Sequence, residues 1–173
     1  MAGFLECSGP AAAVQLLEIN DGTAPIKDHR MHLIPSTPTA KAPEDRFTGD
    51  VYLDMLHNGQ APSALVAAIV RFTPGARTNW HSHPLGQTLH CSDGIGIVAT
   101  RDGHAILMRP GDTVHTPPGE EHWHGATQSN MMCHLALVEH HHGQSATWLE
   151  AVTDQDYETA HTIVIHQAKE THE

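Results

Sequence analysis

From residue 47 onward, apolar and polar side chains alternate in short runs, and each run is cut off by a glycine, a proline or an acidic turn. Alternation with period two marks a strand with one buried face. The runs predict strands at 47–55, 63–72, 78–85, 87–92, 94–100, 104–108, 113–116, 121–125 and 131–139. Between them stand Thr73-Pro74-Gly75-Ala76, Arg101-Asp102-Gly103, Arg109-Pro110-Gly111-Asp112 and Pro117-Pro118-Gly119. Asp102-Gly103 tolerates the positive φ of a tight primed hairpin turn. Short strands at even spacing, joined by turn signals, predict an all-β antiparallel sandwich or barrel.

The same alternation assigns faces. In 63–72, Arg71 faces out, because a charge is rarely buried alone. Ala68, Val70 and Phe72 then face in and suit a pocket wall. On 131–139, Met132, His134, Ala136 and Val138 share one face. If that face is inward, His134 enters the pocket as an uncoordinated base. His90 lies opposite to Leu89 and Cys91 and reads as outward and structural. Trp80 and Trp123 alternate with histidines that face in, so they face out and need cover. The N-terminal arm or a partner barrel is expected to supply it, and a homodimer or homotetramer follows.

The flanks read differently. Residues 1–44 form an arm, with a short helix or strand at 11–17 and breaks at Pro25, Pro35, Pro38 and Pro43. The barrel spans 45–150. A tail, 151–173, holds a short helix near 154–161 with Thr153 or Asp154 as its N-cap. His140-His141-His142 reads as a solvated strand end rather than a metal tract.

Composition narrows the partners. The chain has 173 residues and a formal charge of −11, which speaks against nucleic acid and anionic membrane surfaces. Three distant cysteines, Cys7, Cys91 and Cys133, make no CxxC pair and no even framework. That, with no signal or membrane segment in sight, predicts a cytoplasmic protein. Seventeen histidines make the net charge pH-sensitive around 6 to 7.

Two of those histidines open the chemistry. His81 and His83 sit at i and i+2, on one face of a strand. Pro84-Leu85-Gly86 turns the chain and brings Gln87 within reach. Neutral imidazole is the commonest nitrogen ligand of first-row metals. His122, on a facing strand, is the natural third nitrogen. His124 shares its inward face, while the parity of Thr78 stays open because Pro74-Gly75 can precede a bulge. A histidine beside a metal, with a pKa near 6 to 7, suits taking and returning a proton.

Gly75, His81, His83, Gln87 and Gly94, then Gly111, Pro117, Gly119 and His122, resemble the two cupin motifs in residue type and spacing. The resemblance implies a double-stranded β-helix (jelly-roll barrel). The wording of 72–88, of 118–126 and of Met132-Cys133-His134-Leu135-Ala136 is similar to small bacterial cupins that include the manganese-dependent hydroxynitrile lyases. That implies one divalent ion, manganese ahead of iron, nickel or zinc, on His81, His83, Gln87 and His122. It also implies a supporting role for His124 and an acid/base role for His134, with Thr78 near the ion. Most metal-binding cupins carry Glu at Gln87. In this group Gln is usual, and a neutral ligand leaves the ion a stronger Lewis acid. Ala126 replaces the Asn that often ends the second motif, and Val138 replaces a polar residue of some relatives. The expected activity is a carbon–carbon lyase on a small cyanohydrin-like molecule. A metal-dependent dioxygenase and a non-catalytic metal or small-ligand binder are the alternatives.

Overall fold

The computed structural model describes residues 30–170, with side chains through Gln167. The chain divides into two compact units, 1–33 and 34–173. Of the first, only 30–33 are described, where His32 Nδ1 lies 3.3 Å from the Arg30 carbonyl. The element expected at 11–17 and Cys7 lie outside the described residues.

Among its described residues the second unit contains thirteen strands and one helix. Its first sheet holds β1 (Ala40–Lys41), β3 (Val51–Asn58), β4 (Leu65–Phe72), β12 (Met132–Glu139), β7 (Gln87–Gly94) and β10 (Thr113–Thr116), in that order. The second is built on β11 (His122–Ala126), which pairs on one side with β8 (Gly96–Thr100) and through it with β9 (Ala105–Met108). On its other side run two short strands, β5 (Arg77–Thr78) and β6 (His81–Ser82). These in turn pair with β2 (Phe47–Thr48) and β13 (Thr147–Trp148). Every pairing is antiparallel. The core joins Val51, Val70, Phe72, Leu89 and Met132 of the first sheet to Val98, Met108 and Ala126 of the second. This is the all-β jelly-roll barrel expected, and Ala40–Lys41 adds an edge strand to it through Tyr52 and Leu53.

Three local expectations change. The run 47–55 is not one strand. Gly49, at φ +79°, turns the chain so that β2 and β3 enter different sheets, and a Cβ there would come 2.9 Å from that of Ala76. The run 78–85 is broken as well. Asn79 and Trp80 leave the ladder to bond Arg46 and Glu150, and His83 lies just past β6. The β8–β9 hairpin is present, but only Gly103 of Asp102-Gly103 has positive φ, +86°. Its Thr100–Gly103 bond and left-handed glycine fit a three-residue loop rather than a primed turn.

The helix is longer than 154–161. It is α1 (Asp154–Glu170), and Thr153 caps it by accepting from the Asp156 N–H at 3.0 Å. It covers the outward tryptophans. Trp80 and Trp123 pack with Tyr157, Ala160 and Val164, so neither the arm nor a second barrel is needed there. Arg77 pins the helix start, donating to Asp154 Oδ1 at 2.6 Å and to the Val152 carbonyl at 3.1 Å. Tyr157 donates its hydroxyl to the Ala126 carbonyl at 2.8 Å. Among the described residues no helix is long and apolar enough to cross a membrane.

Candidate metal centre and its cavity

The backbone fixes three imidazoles so that one nitrogen of each is reserved. Nδ1 of His81 lies 2.9 Å from the Asn79 carbonyl, that of His83 2.6 Å from the Ser145 carbonyl, and that of His122 2.9 Å from the Glu120 carbonyl. A carbonyl only accepts, so each Nδ1 carries the hydrogen and each Nε2 keeps its lone pair. The ligand atoms of the three lie within 4.8 Å of one another. A single ion spans about 4 Å between opposite nitrogens at metal–nitrogen bonds of roughly 2.1 Å.

Gln87 completes the set. Its Oε1 lies 3.0 Å from His122 Nε2, so two lone pairs face each other. His83 Nε2 is buried with no partner. Turned the other way, the amide would offer two N–H donors to three converging lone pairs, and one would stay unserved. A cation satisfies all of them, so the residues fit a divalent ion, and no carboxylate stands among these donors.

The neighbouring imidazoles form a second layer. His124 is placed by β11 beside β5. Gly125 makes that approach possible, since a Cβ there would meet the Ala76 carbonyl oxygen at 2.5 Å. The Thr78 hydroxyl in turn accepts the His124 backbone N–H at 3.1 Å. Nδ1 of His124 lies 3.2 Å from Nε2 of His134, and His134 Nδ1 is buried without a partner. Burial is the first cause of low basicity throughout. It holds His81 and His124 well below the usual range, aided by the nearby His122 and His134 respectively. Burial lowers His83 too, and brings His122 and His134 to about 4. All five are therefore neutral at pH 7. His134 differs here from the expected pKa of 6 to 7, because it is fully buried rather than open to the pocket.

A cavity of about 190 Å³ opens on this cluster. Val70, Thr78, His81, His83, Gln87, His124 and Ala136, all singled out in the sequence, line it. His134 stands behind His124. Phe72 and Met132 are fully buried in the core, with the Phe72 ring 5.7 Å edge-on to His124. Ala68 packs against that core. Val138 pairs with Gln87 across the sheet and lines a different groove. Pro43, Arg46, Phe47, Leu53 and Trp148 complete the wall. These were not predicted, because they lie outside both histidine motifs. The only signal for them is the apolar Phe47 and Leu53 at the barrel's start and a lone Trp148 after its last long strand. Trp148 stacks on the His81 ring at 4.7 Å.

Residues 68–146 match the cupin domain model. The chain is 44% identical over 124 residues to an (R)-mandelonitrile lyase of Granulicella tundricola, a match covering 72% of this chain and 95% of that one. A cupin-like protein of Thermotoga maritima is 38% identical, with a TM-score of 0.67 over 70% of this chain and 92% of the other. A polyketide cyclase of Streptomyces resistomycificus, 16% identical, shares the fold at a TM-score of 0.57 over 75% of this chain and 92% of its own. With its two-sheet barrel and its three-histidine group, the chain belongs to the cupin family.

Proposed function

We propose that this cupin is a metal-dependent hydroxynitrile lyase, cleaving the carbon–carbon bond of a cyanohydrin to an aldehyde and hydrogen cyanide. The observation that carries the reading is the convergence of three Nε2 lone pairs and the Gln87 oxygen on one point of a small, largely apolar cavity. The lyase name of a relative 44% identical supports the choice of reaction. His81, His83, His122 and Gln87 would hold the ion, with manganese the proposed metal and iron, nickel or zinc the others to measure. When bound, the ion supplies Lewis-acid charge that its neutral protein ligands leave uncompensated.

The chain's own residues handle the proton. His124 lines the cavity, and with Nδ1 engaged by His134, its Nε2 is the atom placed to take the hydroxyl proton of the cyanohydrin. The carbon–cyanide bond breaks, its electron pair leaves with cyanide, and the carbinol becomes an aldehyde. The same nitrogen returns the proton to cyanide. His134 behind it shares the hydrogen between the rings and steadies the charge that His124 gains. The Thr78 hydroxyl, already accepting from the backbone, has its own hydrogen left to donate into the cavity. The apolar wall excludes water from the cleavage.

Purified protein with manganese is expected to release benzaldehyde from mandelonitrile, and release no greater than that of a His81→Ala control ends the proposal. Elemental analysis of protein prepared without added metal identifies the ion.

A further inference from the structure

Arg46 stands out in the cavity wall. Lys41, Arg71, Arg77 and Arg101 are each matched to a carboxylate, Arg109 lies on the surface away from this cavity, and Arg46 is the cation among the residues lining it. No described residue offers Arg46 one, although the chain carries an excess of acidic groups. Its guanidinium instead lies 5.6 Å over the Trp148 ring, a cation–π contact that leaves its N–H donors open. Its backbone is not loose. Asn79 donates to the Arg46 carbonyl at 2.8 Å through its main-chain N–H, and to the Asp45 carbonyl at 2.9 Å through its side chain. The carbonyl of the same Asn79 orients His81. One residue therefore ties the cation to the ligand cluster.

Trp148 touches both, stacked on the His81 ring and lying under the Arg46 guanidinium. Phe47 sits 5.5 Å from the same indole. The cavity thus has an imidazole cluster at its inner end, aromatic and aliphatic walls, and an unmatched cation at its mouth. A ring held in this cavity with its reacting carbon at the imidazole cluster would have Phe47, the Trp148 edge and Arg46 among the groups around its other end. Guanidinium donors in a planar fork match planar or tetrahedral oxyanions bidentately, and on an aryl ring of this size a carboxylate is the simplest such group.

We infer that Arg46 determines substrate specificity, and that the preferred substrate is an aryl cyanohydrin carrying a carboxylate on the ring end remote from the reacting carbon. This rests on the lyase reading for its chemistry, but not for its binding. The test compares 4-carboxymandelonitrile with mandelonitrile in the manganese-loaded protein. The expected result is a kcat/KM ratio of about ten in favour of the carboxylate, carried by KM and shrinking as salt is added. Arg46→Gln collapses the ratio, Arg46→Lys keeps part of it, and Arg46→Glu inverts it. Binding of the two aldehydes, 4-formylbenzoate and benzaldehyde, is measured in parallel by ligand-observed NMR. Cleavage of both cyanohydrins with a ratio near one that Arg46→Gln leaves unmoved overturns the inference and leaves the lyase reading standing. No cleavage, but Arg46-dependent preference for 4-formylbenzoate, ends the lyase reading and supports the anion site. Neither cleavage nor preferential binding ends both.

Discussion

The second sheet has two faces made by the same strands, and they are buried to the same degree. On β11, His122 is 0% exposed and its neighbour Trp123 1%. Beside them His81 is 1% exposed and Trp80 5%. What separates the faces is how polar atoms are treated. Under α1 the polar tip is served, since the Tyr157 hydroxyl reaches the Ala126 carbonyl. Inside the barrel, His83 Nε2 beside that sheet and His134 Nδ1 on the facing sheet have no partner. Each such buried atom costs about 1–3 kcal/mol. The outer face is built to hold the fold, and the interior gives up stability to leave imidazole nitrogens unserved. Burial alone would not have told them apart.

The comparison can be broken from either side. Trp123→Ala is expected to cost the most, about 3–5 kcal/mol, read as a lower melting temperature, while the folded fraction still binds metal. An unchanged melting temperature would mean the indole does not anchor the helix. His122→Ala should do the reverse. Metal binding weakens at least a hundredfold, about 3 kcal/mol, measured by titration into chelator-treated protein, with a smaller change in melting.

Acid should find the inner face first. In the metal-free fold His134 is held at about 4, below its ordinary value of 6.5. The unfolded chain therefore takes the proton first as pH falls. The contribution is whole above about pH 6.5 and is lost on the way down to 4, on the order of 3 kcal/mol for this residue. Urea midpoints of metal-free protein at pH 7.5 and 4.5 measure it. His134→Leu should flatten the slope, whereas Trp123→Ala should leave it. A midpoint that rises on acidification contradicts the assignment. The smallest effect is expected from Tyr157→Phe, about 1 kcal/mol from one lost hydrogen bond, again seen in melting.

The parts of this contrast that follow from parity were legible in the chain. Trp80 and Trp123 face away from His81 and His122 because neighbours on a strand must. What covers them was not, because α1 is an ordinary amphipathic segment whose docking depends on Arg77 and the Ala126 carbonyl, far from it in sequence. The ligand cluster was readable from spacing, even though His83 lies beyond β6 and owes its direction to the Ser145 carbonyl. The cavity wall was harder. Gly49 divides a run that alternates as one strand, and the resulting turn carries Phe47 into the other sheet. Arg46 and Trp148 meet there from opposite ends of the barrel, and no local pattern announces a contact between segments so far apart.

The bond between His83 and Ser145 crosses 62 positions. It also sets an order of events. A chain emerging from the ribosome exposes His81, His83, Gln87 and His122 well before Ser145 and Trp148 have been made. Until those arrive, nothing directs the His83 ring or closes the wall over His81. Contacts of such long range form late in folding. A metal held by these residues would therefore reach its final geometry only after the barrel's last strand is in place, so its loading would report that the barrel is complete.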